Sequence, residues 1–438
     1  MTPTRRASPR QTVRPPAHQP DRRAVGAGGA RSGPLAAPMS AATGWRGVSA
    51  AMLLSLAMAA CAPSYRGLGP PGADPTVLAD PPGGVPVIDA AAADAILPQP
   101  ERLPPGTPPA ERPVEIVTDA ALAASDGQRL PMRVWKPADG PPAAAVVALH
   151  GLNDYANAFA IPGRVWAARG IAVYAYDQRG FGGNPEPGRW PGTEALVADA
   201  RAALAAVRER HPGVPLYLLG ESMGGAVALA ALADPVPAGT PELPSVDGLV
   251  LVSPAAWGRE TMPWPQRAVL WMATRLVPAL EVTGDGLGIE PTDNLEIWRG
   301  LAEDPLVLKS NRIDTIAGVV DMMDRGLAAA PRLAADPSLA TRGLVLFGAN
   351  EDVLPPAAVK ALAEQLTRDG FRTVEYPEGW HMLLRDRASA VPIADVASWI
   401  LRPDSPLPSA LPVPAAGAEA AAGREATEWE AGASGGAD

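Results

Sequence analysis

Cysteine is almost absent: Cys61 is the one thiol in 438 residues. An internal disulfide is therefore excluded, and no Cys/His cluster has the spacing of a zinc site. Histidine is nearly as scarce, with four in the chain, so a role that needs an imidazole has few candidates. The apolar run Val48–Ala60 has only thirteen residues. As a helix it reaches about 20 Å, too short for a hydrocarbon layer of about 30 Å. Positive charge is concentrated at the start. Residues 1–60 hold eight Arg and one Asp, and without them the formal charge moves from −10 to −17. Phosphate backbones repel so acidic a protein, which argues against a nucleic-acid partner.

The short apolar run follows Arg46 and ends in Ala59-Ala60-Cys61. It fits the apolar region of a secretory signal. It also resembles a bacterial lipoprotein signal, which implies cleavage before Cys61 and lipid attachment there. The expected location is then the bacterial cell envelope, with Ala62 favouring the outer membrane; an ordinary cleaved signal and a secreted periplasmic protein are the alternative. Translation starting at Met39 rather than Met1 would give the signal an ordinary length. Residues 61–112 are crowded with Pro, Gly and Ala and read as a flexible tether, and 403–438 as a disordered tail, because neither can bury enough apolar surface to offset ordering entropy. About 290 residues remain, 113–402, which suits one α/β domain with an insertion.

From residue 113 short apolar runs alternate with helical patterns, which predicts a mostly parallel sheet covered by helices. Val114–Thr118 and Pro131–Trp135 read as an antiparallel hairpin. The strands that follow are Ala143–Leu149, Ile171–Tyr176, Pro215–Leu219, Gly248–Val252, Gly343–Phe347 and Thr373–Tyr376. The helices are near Pro162–Arg169, at Glu194–Arg210, Gly225–Leu232 and Val391–Leu401. About 90 residues separate the strands at 248 and 343, more than a crossover needs, so 255–330 reads as an inserted helical cap. Trp257, Trp264, Trp271 and Trp298 fall in it. The first three are candidates for an apolar inner surface that receives an acyl chain; ordinary packing of the cap on the sheet is the simpler account of any one of them.

Gly220-Glu221-Ser222-Met223-Gly224 lies between a predicted strand and a small-residue helix. In G-x-S-x-G the serine occupies a strained turn that exposes its hydroxyl, and side chains two residues either side would collide. Such a hydroxyl needs a base. His18 precedes any predicted element, His211 sits in a helix-ending turn, and His150 follows a strand directly; His381 follows the last strand. The turn resembles the nucleophile turn of the α/β hydrolases, in which the order along the chain is nucleophile, acid, histidine. Only His381 then qualifies. Asp352, at the carboxyl end of Gly343–Phe347, is the expected acid, and spacing does not exclude its neighbour Glu351. The backbone N–H groups of Leu152 and Met223 are the candidate oxyanion donors. Asp177 and Arg179, after another strand, read as a structural ion pair and turn.

His150-Gly151, Asp177-x-Arg-Gly-x-Gly182, Gly-Glu-Ser-Met-Gly-Gly225, Asp304-Pro305, Asp352-Val and Gly379-x-His381-x-Leu-Leu-x-Asp386 together resemble the monoacylglycerol lipase and lysophospholipase branch of the α/β hydrolases, also labelled serine aminopeptidase-like. The resemblance spans 113–402. It implies a mostly parallel sheet with helices on both faces and an inserted cap, a triad of Ser222, Asp352 and His381, no metal or organic cofactor, and a small lipid or ester substrate. One departure is Asn153-Asp154-Tyr155, where the branch often has a Gly-Glu-His type sequence. A peptidase reading would need cap acids such as Glu290, Asp293 and Glu296 to hold a substrate ammonium. A non-catalytic lipoprotein with the same fold is the third possibility. The oligomeric state is not legible.

Overall fold

The structure is a computed structural model that describes residues 78–79, 113–236, 242–284, 288–335 and 342–411. Cys61, the apolar run before it and most of the Pro/Gly/Ala-rich stretch lie outside the described residues.

Strand β1 (Leu78–Ala79) pairs antiparallel with β2 (Val114–Ala123), and β2 with β3 (Arg129–Pro137). Beyond β3 the sheet is parallel. It contains β4 (Ala144–Leu149), β5 (Ile171–Tyr176), β6 (Leu216–Glu221), β7 (Gly248–Val252), β10 (Arg342–Gly348) and β11 (Arg372–Tyr376). The spatial order is β1-β2-β3-β5-β4-β6-β7-β10-β11. Every residue of β4, β5, β6 and β7 is buried, as strands covered on both faces must be.

The two-residue period of β4 divides the core. Ala145, Val147 and Leu149 join a cluster with α2 (Thr193–Arg210) and α3 (Met223–Ala233), whereas Ala144, Val146 and Ala148 join one with α1 (Ala160–Ala168) and α8 (Ala390–Leu401). Between β4 and β6 the chain reverses its direction of travel across the sheet, the place where such sheets open a crevice at their carboxyl ends.

The insert contains α4 (Trp264–Leu276), a short ribbon of β8 (Glu281–Val282) and β9 (Asn311–Arg312), α5 (Leu295–Glu303) and α6 (Ile313–Ala335). The predicted cap of 255–330 is two things. α6 packs along α3, where a Cβ on Gly326 would stand 2.8 Å from Ala226 Cα, and its Ile316, Val320 and Met323 share the α3 cluster. It therefore belongs to the layer over the sheet, and the cap proper ends before it. α7 (Pro356–Arg368) is an element the sequence reading lacks, although Val359, Leu362 and Leu366 are buried at helical spacing. Order also continues past 402. Leu407 is buried, Arg372 donates to the Ser405 carbonyl at 2.9 Å, and Ser409 N–H donates to Asp395 at 2.9 Å. Residues 403–411 of the predicted tail are therefore ordered, held against the sheet layer by buried Leu407 and these bonds, and 412–438 lie outside the described residues. Among the described residues no helix is long and apolar enough to cross a membrane.

Candidate active site

Four loops at the carboxyl ends of parallel strands converge: those after β4, β6, β10 and β11. Ser222 follows β6 with φ 52° and ψ −119°, a left-handed backbone that is costly for a side-chain-bearing residue and holds the hydroxyl outward. Its N–H donates to Val252 O at 2.9 Å and its carbonyl accepts from Ala255 at 2.9 Å, so neighbouring β7 fixes the turn. The flanking glycines are sterically required. A Cβ at Gly220 would run into the Gly224 carbonyl, and one at Gly224 into the Leu149 carbonyl.

His381 Nε2 lies 3.0 Å from Ser222 Oγ, and His381 Nδ1 lies 2.7 Å from Glu351 Oε2. The expected nucleophile and base therefore meet, but the carboxylate behind the ring is Glu351, not Asp352. The reason is local. Adjacent residues in this loop point opposite ways: Glu351 is buried, with Oε1 accepting from Val353 and Leu354 N–H at 2.9 Å each, which leaves Oε2 for the histidine. Asp352 is exposed and accepts Glu290 N–H at 2.9 Å. The loop itself is pinned to the histidine loop by Asn350 N–H donating to Gly379 O at 2.9 Å. Burial raises the Glu351 pKa, but His381 and the two backbone donors outweigh it and hold the carboxyl below its ordinary value. Burial disfavours the His381 imidazolium, but Glu351 overrides it, so the His381 pKa is raised.

Leu152 borders the cavity, and a Cβ on Gly151 would stand 3.1 Å from Ser222 Cβ. Met223 is the first residue of α3, where a helix N–H has no intrahelical acceptor. His150 has a structural place: Nδ1 is 2.8 Å from Gly151 O, Nε2 accepts Gln178 N–H at 2.9 Å, and burial lowers its pKa to about 4. Neutral His150 braces the loop that carries Leu152. Asp177 accepts Ala156 and Gly183 N–H at 2.9 and 2.8 Å, and Arg179 pairs with Asp199 and Asp126. Both residues thus have the structural role expected, but not as a pair with each other: Asp177 holds the turn through backbone N–H groups, and Arg179 finds its carboxylates on Asp199 and Asp126. Lys309 holds the Asp304 and Val307 carbonyls at 2.9 Å each, and Tyr155 donates to Asp304 at 2.8 Å. Asp304 thereby ties the insert to the loop after β4.

A cavity of about 370 Å³ opens over Ser222 and His381. Leu152, Trp298, Leu301, Val307, Val353 and Met382 supply apolar wall, and Asp154, Glu221, Lys309 and Arg385 polar wall. The three tryptophans expected to line it do not. Trp257 is buried in the core cluster, and Trp264 and Trp271 are 76% and 60% exposed on α4. The lining one is Trp298, because α5 rather than α4 contributes to the cavity wall. Glu290, Asp293 and Glu296 are also absent from the lining. Among the described residues no group of three or more His, Cys, Asp or Glu is placed to hold a metal ion.

A half-buried, left-handed serine on a strand-to-helix turn, facing a histidine backed by a carboxylate, defines a serine hydrolase of the α/β fold. Residues 140–388 match the family model described as serine aminopeptidase, S33, and the chain belongs to that family. It is 25% identical over 288 residues to the monoacylglycerol lipase of Mycolicibacterium smegmatis, covering 65% of this chain and 97% of that one. It is 26% identical over 277 residues to human monoglyceride lipase, covering 60% and 84%. The crystal structure of a carboxyl esterase from Bacillus coagulans with glycerol superposes with a TM-score of 0.52 at 19% identity, over 66% of this chain and 97% of that one, and shares the fold. The protein is a serine ester hydrolase.

Proposed function

We propose that the chain hydrolyses monoacylglycerol- or lysophospholipid-like carboxylic esters at the bacterial cell envelope through an acyl-Ser222 intermediate. The Glu351–His381–Ser222 relay at the foot of a largely apolar cavity carries the reading. Ser222 Oγ attacks the ester carbonyl while His381 Nε2 takes its proton, and Glu351 holds the ring and stabilises the imidazolium. The Leu152 and Met223 N–H groups receive the tetrahedral oxyanion. The oxyanion collapses, His381 returns the proton to the departing alcohol, and water repeats the attack on the acyl-enzyme to release the acid. Cavity walls such as Trp298 and Leu301 suit one acyl chain. Trp264, Trp271, Met272 and Leu276 are exposed along α4, which suits an enzyme that meets its substrate at a lipid surface.

The peptidase reading loses support because its three acids lie off the cavity and Asp293 is engaged by Arg387 N–H at 2.8 Å. Lipid attachment at Cys61 rests on the sequence pattern alone. Purified protein assayed against esters graded by chain length and headgroup tests the function; preference for an aminoacyl amide over every monoacyl ester overturns it. Incorporation of a palmitate analogue that disappears in Cys61→Ser tests the anchor.

A further inference from the structure

The polar wall of the cavity contains a buried ion network outside the Ser222–His381–Glu351 set. Arg385 Nη1 donates to Asp154 Oδ2 at 2.6 Å, and Nη2 reaches Glu221 Oε2 at 3.4 Å. The three side chains are 7%, 7% and 3% exposed. Each comes from a different loop of the site. Asp154 stands two residues after Leu152, Glu221 immediately before Ser222, and Arg385 four residues after His381.

We propose that Arg385 is a positioning residue: its guanidinium locks the nucleophile turn, the loop after β4 and the histidine loop in one register, so that Ser222, the Leu152 N–H and His381 meet at the same carbonyl. The inference rests on the reading of Ser222 and His381 as nucleophile and base.

All three groups are themselves anchored. Glu221 is the last residue of β6. Asp154 turns its other oxygen back to Tyr155 N–H at 2.9 Å. Arg385 N–H donates to Met382 O at 2.7 Å, and its carbonyl accepts from Asn294 at 3.1 Å. A displacement of any one loop is therefore passed to the guanidinium and resisted by the other two. The planar fork of arginine spans two carboxylates at once, which a single ammonium does not. The demand on geometry is severe, since a misplacement of about 1 Å costs a rate factor of about 100. Burial lowers the Arg385 pKa, but its two carboxylates outweigh it, so the net shift is upward and the group stays charged.

A buried ion pair can also be merely part of the scaffold, and the test separates the two. Arg385→Gln and Arg385→Lys are assayed with p-nitrophenyl acetate, which is too small to depend on the cavity walls, alongside Ser222→Ala. The expected result is a kcat loss of about 100-fold for Arg385→Gln and about 10-fold for Arg385→Lys, with KM changed less than about threefold. Arg385→Lys keeps a charge between the carboxylates, so it carries the test if Arg385→Gln does not fold. A triple variant, Arg385→Met with Asp154→Asn and Glu221→Gln, removes the charges together and relieves the unpaired carboxylates; its Tm is expected to exceed that of Arg385→Gln while kcat stays low. A folded Arg385 variant with kcat within about threefold of wild type, or a triple variant that recovers rate along with Tm, overturns the proposal. Retained activity in Ser222→Ala overturns the nucleophile assignment instead, so the two failures are distinguishable.

Discussion

Helices α3 and α5 both border the site, and they are built oppositely. All eleven residues of α3 are buried, while α5 buries none. α4 buries only Gln266 and Leu270. The helix that begins at the nucleophile is made of small and apolar residues clamped between the sheet, α2 and α6, so Ser222 inherits the rigidity of the core. The helix that lines the cavity, α5, is amphipathic and rests on the domain by a few contacts such as Tyr155 with Asp304. The serine turn thus sits in the densely packed part of the site, and the cavity wall includes a part that is thinly held.

The comparison can be broken most severely at its rigid side. Ser222→Ala is expected to lower kcat on a short p-nitrophenyl ester by about five orders of magnitude or more, and to abolish fluorophosphonate labelling. A smaller effect separates two adjacent acids. Glu351→Gln is expected to cost about 10³- to 10⁴-fold in kcat, since the ring loses the group that fixes its tautomer. Asp352→Asn keeps an oxygen for Glu290 N–H and is expected to stay within about threefold; a reversal of the two would return the acid to Asp352. At the thinly packed side, Trp298→Ala is expected to weaken a long-chain ester by about 1–3 kcal/mol, read as a rise in KM. Trp271→Ala should leave a soluble ester unaffected, because its ring is not in the cavity. The smallest effect is in pH. His381 acts as a base only when neutral, and its pKa is raised above 6.5. The acid limb of kcat/KM should therefore lie above 6.5 and move down in Glu351→Gln, as the residual activity profile would show.

Most of the sheet was legible because fully buried strands are short apolar runs between turn signals. Ile171–Tyr176 and Gly248–Val252 coincide with β5 and β7 to the residue. The site was legible where it depends on local backbone. The cap was less so: amphipathic spacing marks α4 as a helix but does not say which way its tryptophans face. α6 was assigned to the cap because it lies between cap and strand in sequence, whereas its packing against α3 depends on Gly326 meeting Ala226. Arg385 carried no sequence signal as a junction, since its partners lie 231 and 164 residues away.

The candidate nucleophile could be named from the sequence alone. A serine in a left-handed turn needs glycine on both sides for steric reasons confined to a few residues, and the motif with its flanking strand and helix declares it. The choice between Glu351 and Asp352 belonged to the tertiary structure. Two neighbouring carboxylates are equivalent in a string of letters, and only the pinning of one strand end against another turns one of them toward a ring thirty residues further along.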